Sequence, residues 1–200
     1  YVFSGDEDRW YIESDIPDSD NPVGMTKSSA EFFIQRTALD YLIFRCCPLY
    51  GRSYNPKQLT DFERLQKAYL NHQMFVADNH IFNGFLDVTY LAMLMKICFD
   101  RDVSSRLYQV SSSDYLTYYD FAQIYAQVFH ENPNMISKGK WPFPNEQGLD
   151  NLFFKLDTNN LEGHLNLKLP TIKESLELCY GRLHGQAKQA KEKGQGISFI

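Results

Sequence analysis

Hydrophobic positions along the chain fall into short runs that switch between two periods. Tyr1-Val2-Phe3 is an apolar, strand-like run, and Ser4 through Asp20 is acidic, rich in turn formers and aperiodic, which predicts a long loop. Asn21-Pro22 opens a first helix, with Asn as cap and Pro at the first helical position, where its missing N–H is not needed. Ala30, Phe33, Ile34 and Ala38 mark the stripe this helix is expected to bury. Tyr41 through Cys47 is nearly continuous in apolar residues, the pattern of a strand covered on both faces of a parallel sheet.

Gly51 to Pro56 reads as a loop. Thr60-Asp61-Phe62-Glu63 is a capping box, and Phe62, Leu65, Ala68 and Tyr69 form the inner face of the helix it opens. A short strand around Met74 to Ala77 precedes a helix capped by Asp87, with Val88, Leu91, Ala92, Met95 and Cys98 as its stripe. Leu107 to Val110 is a further strand. Thr117 caps a helix whose Tyr118, Phe121, Ala122, Tyr125, Ala126 and Phe129 fit the 3.6-residue period. Asn132 to Gly148 is rich in Pro, Gly and Asn and predicts a long irregular segment, in which Trp141-Pro142-Phe143-Pro144 reads as a rigid cleft cover or lid. Thr171-Ile172-Lys173-Glu174 is another capping box, and Ile172, Leu176, Cys179 and Leu183 turn inward from the last helix. The polar tail after Gly185 is expected to fray.

Composition narrows the picture. A chain of 200 residues, 44% hydrophobic, is large enough to bury its own core. The net charge of -5 and scattered Lys and Arg exclude a phosphate-tracking nucleic-acid surface. No apolar run reaches the roughly 20 residues that span a bilayer, so no membrane partner and a cytoplasmic location are expected. Cys46, Cys47, Cys98 and Cys179 sit in apolar segments without metal-ligand spacing and read as buried thiols. The five histidines lie far apart, and the acidic residues between Asp6 and Asp20 lack the alternation of a calcium loop. The opening on Tyr1-Val2-Phe3, with no initiator Met or polar lead, suggests a sequence that begins within a domain.

Three pieces in order carry a resemblance. Tyr1-Val2-Phe3-Ser4-Gly5, Tyr11-Ile12-Glu13-Ser14-Asp15 and Pro22 through Glu31 resemble the YVFxG, YxExD and YGxxKxxxE stretches of extended short-chain dehydrogenases. The branch they resemble is that of dTDP-4-dehydrorhamnose reductase, which also includes the regulatory β subunit of methionine adenosyltransferase. Arg45 through Gly51 resembles the RxxxxYG strand of the same enzymes, and Phe85 through Ala92 their FxxVxDxA helix start.

The resemblance implies a Tyr and a Lys placed i and i+4 on one helix face, the phenol passing a proton as hydride moves and the Lys holding the nicotinamide ribose. Lys27 occupies the Lys position, as catalytic and cofactor-binding residue, but the Tyr position is Val23, which has no proton to give. Cys46, Cys47, Pro48 and Leu49 would flank the nicotinamide. Arg52 could meet a sugar-nucleotide phosphate or simply be solvated. Tyr90 stands where the pattern has Asp, and Asn83 and Gly84 where a basic residue is common. No GxxGxxG or GxGxxG occurs in these 200 residues, so NAD or NADP is expected in a full-length parent and not on this stretch alone.

The resulting expectation is an α/β fold: the distal part of a Rossmann-like parallel sheet with a small mixed α/β substrate-binding domain. Residues 1–70 would belong to the sheet domain, 71–185 mainly to the substrate side with return elements to the sheet, and 186–200 to a flexible tail. Two functions fit. One is a nucleotide-sugar reductase, epimerase or dehydratase homologue of weak or absent activity. The other is a regulatory or binding protein that kept the fold. A nucleotide-sugar ligand and a homodimer, or association through an exposed strand edge, are the partners expected.

Overall fold

The computed structural model describes residues 2–37, 39–53, 55, 57–139 and 151–192. In chain order these form β1 (Trp10–Tyr11), α1 (Pro22–Thr37), β2 (Leu42–Cys46), β3 (Leu49–Tyr50), α2 (Asp61–Leu70), β4 (Phe75–Asp78), β5 (Ile81–Asn83) and β6 (Leu86–Asp87). They continue with α3 (Val88–Asp100), β7 (Arg106–Val110), β8 (Leu116–Thr117), α4 (Tyr118–Phe129), β9 (Ile136–Gly139), β10 (Leu152–Leu156), α5 (Asn159–Leu165) and α6 (Ile172–Glu192).

Capping chemistry fixes where the helices begin. Asn21 Oδ1 accepts the Gly24 N–H at 2.8 Å, so α1 starts at Pro22 as its sequence dictates. The capping boxes of Thr60 with Glu63 and of Thr171 with Glu174 are both formed, and Thr117 pairs with Asp120 in a third. Asp87 caps α3 by accepting the Thr89 N–H. Each such cap satisfies N–H groups that the first helical turn leaves open and contributes about 1 kcal/mol.

The strands pair mainly in parallel, which gives a mixed α/β fold. β2 runs beside β7, β3 beside β6 and β4 beside β9, all parallel, while a four-stranded sheet has the order β1-β10-β5-β8 with only β5 and β8 antiparallel. Two cores result. Phe62, Leu65, Phe121, Tyr125, Ile172 and Leu176 pack α2, α4 and α6 together. Leu94, Cys98, Tyr108, Val110, Leu161 and Leu165 pack α3 and α5 on one face of β2 and β7.

Several expectations are corrected. Val2 and Phe3 form no strand; their side chains are buried, and the Val2 carbonyl accepts the N–H groups of Asp18 and Ser19, closing the loop that follows. That loop is not featureless, because β1 lies in it and pairs with β10. In α1, Ala30, Phe33 and Ile34 are exposed and Gly24 and Glu31 are buried, since an ion pair rather than apolar periodicity orients the helix; Ala38 lies outside the described residues. In α3 the buried positions are Leu94 and Cys98, while Val88 and Met95 are exposed. That helix is apolar almost all round, so its period alone could not phase it. Part of the stretch expected to be irregular is β9, a strand by its pairing with the distant β4. α6 runs past Gly185 to Glu192. The stretch Trp141 to Pro144 lies outside the described residues.

Among the described residues no helix is long and apolar enough to cross a membrane. Two phenylalanines separate core from surface. Phe121→Ala, at a fully buried site, should lower stability by about 3–5 kcal/mol in urea unfolding, whereas Phe99→Ala, at a residue 81% exposed, should stay within about 0.5 kcal/mol. Equal losses at the two would place the core wrongly.

Candidate functional site

A charge inside an apolar strand must be neutralised where it lies, and Arg45 in β2 is such a charge. In the parallel register Arg45 stands beside Gln109 of β7, and Phe44 beside Tyr108 on the opposite face, where the two rings stack at 6.2 Å. Arg45 donates from Nε and Nη2 to the Glu31 carboxylate at 2.8–3.2 Å, with both side chains almost wholly buried. Its Nη1 donates to the Glu13 carbonyl at 3.3 Å, and its guanidinium lies 5.2 Å from the Phe3 ring centre. Glu13 in turn accepts the Gln109 backbone N–H on its carboxylate at 3.1 Å. One buried network thus joins four separate chain segments.

That network sets the position of Lys27 and Val23. Glu31 lies about 9 Å back from the end of α1 and Arg45 about 10 Å into β2, which makes their contact the natural one. By the helical rise Lys27 lies about 6 Å and Val23 about 12 Å from Glu31 toward the start of α1. Val23, Lys27 and Glu31 follow one another at i, i+4 and i+8 along one side of the helix. Both Lys27 and Val23 are exposed, Val23 to 54%.

Cys46, Cys47, Pro48 and Leu49 continue from the same end of β2. The Cys47 N–H donates to the Val110 carbonyl at 2.9 Å; Cys47 is buried, Cys46 and Leu49 half-buried and Pro48 exposed. Burial pushes the Cys46 thiol up to about 11 and the Cys47 thiol up to about 12, so neither is a nucleophile at neutral pH. Arg52, after Gly51, is exposed. The described cysteines are free, and no cluster of potential metal ligands occurs among the described residues.

A second polar centre was not legible in the sequence. β3 and β6 place Tyr50 beside Asp87, which is 1% exposed. The Asp87 carboxylate accepts from Thr89 and from Arg182 of α6, and the Tyr50 hydroxyl is bonded to Ser175 Oγ at 2.6 Å. Burial drives the Tyr50 phenol far above its ordinary range, and burial together with the Asp87 charge raises Tyr90. Gly84 has no room for a side chain, because a Cβ there would overlap the Ser111 hydroxyl oxygen, and Ser112 Oγ accepts the neighbouring Phe85 N–H at 3.0 Å. A basic residue at that position is sterically excluded. The only hint of this centre in the sequence was Asp87 itself, whose capping role accounts for one oxygen and leaves the other to be paired.

The family model of the RmlD substrate binding domain matches residues 1–184. No curated protein matches the sequence. Solved structures are similar in fold. A dTDP-4-dehydrorhamnose reductase from Bacillus anthracis, solved with NADP, is 21% identical over 88% of this chain and 60% of its own, with a TM-score of 0.73. A dTDP-4-dehydrorhamnose reductase from Clostridium acetobutylicum is 18% identical over 92% and 63%, with a TM-score of 0.71. A UDP-glucose 4-epimerase from Thermotoga maritima, solved with UDP-glucose, is 14% identical over 88% and 58%, with a TM-score of 0.67. The chain therefore spans about three fifths of the length of these structures.

The buried pair at the heart of the site makes a two-sided prediction. Arg45→Met strands the Glu31 carboxylate and should cost about 3–5 kcal/mol in urea unfolding, whereas Arg45→Met with Glu31→Leu should recover most of that loss. Additive losses would show that the two side chains do not depend on each other.

Proposed function

The chain belongs to the RmlD substrate binding domain family, and from that premise we propose that it is a nucleotide-sugar reductase, epimerase or dehydratase homologue with weak or absent redox activity. What supports this reading is the family match over residues 1–184 together with a helix that carries Lys27 and the aliphatic Val23 on the side anchored to β2 through Glu31 and Arg45. In a protein that also carries a Gly-rich half, Lys27 holds the ribose of NAD or NADP, Cys46 to Leu49 flank the nicotinamide and Arg52 meets a phosphate of the sugar nucleotide. The bound dinucleotide would supply hydride; the residues described here orient it. Without a proton carrier, general acid catalysis worth about 10² to 10⁴ in rate is lost.

Residues 1–70 are assigned to the sheet side and 71–185 mainly to the substrate side, with β7 as the element that returns to the sheet. A cytoplasmic location fits the four thiols, and a homodimer, or association through an exposed strand edge, belongs to the same proposal. The exposed, aliphatic Val23 also favours a second reading, a regulatory or binding protein that retained the fold and gave up the chemistry.

Two measurements decide between these. Titrating UDP-glucose and dTDP-glucose into the chain should raise its stability, by about 2.7 kcal/mol at a hundred times the Kd, and Arg52→Ala should weaken that effect; no stabilisation by any sugar nucleotide removes the substrate assignment. In the form that carries a dinucleotide-binding half, Val23→Tyr should restore reduction of a keto-sugar nucleotide by 10²-fold or more, roughly the contribution of the proton carrier. Bound cofactor without any gain would leave the regulatory reading.

A further inference from the structure

Trp10, Ile12 and Ile16 hold large apolar side chains in water, 52%, 44% and 85% exposed. The segment that carries them is nonetheless rigid. β1 is paired to β10, and the Tyr11 ring stacks on Phe3 at 4.3 Å. Ile12 and Asp15 close a turn, the Asp15 N–H donating to the Ile12 carbonyl at 3.0 Å and the Ile12 N–H to the Asp15 carboxylate at 2.8 Å. Asp18 fastens the far end by accepting the Ser4 N–H at 2.8 Å. Alternation along β1 puts Trp10 and Ile12 on the side away from buried Tyr11, and the turn brings Asp15, with Ile16 next to it, to within about 7 Å of Ile12. The three side chains are thus presented together, with little ordering left for a partner to impose.

This surface lies beyond β7. The Arg106 N–H reaches the Tyr41 carbonyl and the Cys47 N–H reaches the Val110 carbonyl, so the even-numbered residues from Arg106 to Val110 face β2. Gln109 faces the other way, and the Glu13 carboxylate takes its N–H at 3.1 Å. The turn therefore wraps the edge of β7 opposite to β2, and strands added beyond β2 in a longer protein do not reach it.

Two features decide what docks there. Backbone groups at the outer edge of β1 are answered within the segment, those of Ile12 by Asp15 and the Trp10 carbonyl by Arg9 Nη1 at 3.4 Å. An added β-strand finds few bonds on such an edge, so a partner must read the side chains. The second feature is charge. Ser4 through Asp20 holds seven acidic residues and one basic, a formal charge of -6 against -5 for the whole chain. Arg9, beside Glu7 and Asp15, and Lys155, beside Asp8, offset only part of it. An apolar centre with an acidic rim repels nucleic acid and anionic membranes and favours a cationic partner.

We infer that Trp10, Ile12 and Ile16 anchor a docking surface for a protein segment that carries Lys or Arg around apolar side chains of its own. The Trp10 indole, packed edge-on against Tyr115 at 4.8 Å, is the kind of fixed aromatic that dominates such interfaces. The inference gives the regulatory reading a contact surface and rests neither on Lys27 and Arg52 nor on any nucleotide.

The probe is a labelled amphipathic peptide of leucine and lysine, with a leucine and glutamate peptide of the same pattern as control, titrated into the chain and followed by fluorescence anisotropy. The lysine peptide should bind and the glutamate peptide should not. Raising salt from about 0.05 to 0.5 M should weaken the binding several-fold. Trp10→Ala and Ile16→Ala should each weaken it by about tenfold with the melting temperature kept, whereas Leu178→Ala, at an exposed apolar residue of α6, should leave it unchanged. Ile16 touches water over most of its surface, so its variant keeps the test sound if that at Trp10 fails to fold. No binding of the lysine peptide, equal binding of both peptides, or binding that ignores Ile16→Ala overturns the inference. So does binding of phosphatidylserine vesicles in place of the lysine peptide, or self-association that Ile16→Ala abolishes while neither peptide binds. Stabilisation by UDP-glucose would be untouched by any of these failures.

Discussion

An arginine inside a buried strand is the constraint around which the rest of this structure is arranged. Arg45 cannot be left without a counter-charge, and the three groups that answer it, Glu31, the Glu13 carbonyl and the Phe3 ring, come from α1 and from the loop that precedes it. Their convergence turns a loop, a helix and a strand into one unit. It also decides the rotation of α1, whose apolar residues point in too many directions to decide it themselves. The way α1 lies against β2 is a consequence of that ion pair rather than of any hydrophobic stripe.

What the sequence disclosed about the fold is what local chemistry controls. The caps at Asn21, Thr60, Asp87, Thr117 and Thr171 all form, because a side chain bonding a backbone N–H two or three residues on needs no tertiary help. The buried faces of α2 and α4 were equally legible, since Phe62, Leu65, Ala68 and Tyr69 in the one and Phe121, Ala122, Tyr125 and Ala126 in the other recur at the helical period. The face of α3 was not, since Val88, Met93 and Met95 are as apolar as the Leu94 and Cys98 that are buried. β9 and β10 were hidden for a different reason. A strand of four or five residues is decided by its partner, and those partners, β4 for the one and β1 and β5 for the other, lie far away in sequence.

The site divides along the same line. Lys27 and Val23 became candidates through the resemblance of one local stretch of sequence to a family pattern. The segment Cys46 to Leu49 followed from its place at the end of an apolar strand. The centre formed by Asp87, Arg182, Tyr50 and Ser175 could not be read, because it gathers residues from three elements with no common spacing. Gly84 shows how a departure from a family pattern acquires a physical cause: the space a basic side chain needs is filled by the hydroxyls of Ser111 and Ser112.

The pairing of β1 with β10 has a consequence for synthesis in the cell. Trp10 lies opposite Lys155, so β1 waits for this neighbour until some 145 further residues have been made. At ordinary elongation rates that interval is on the order of 7 to 30 s, during which Trp10 and Tyr11 have no ladder to join. A nascent chain in that condition is a natural client for holding chaperones.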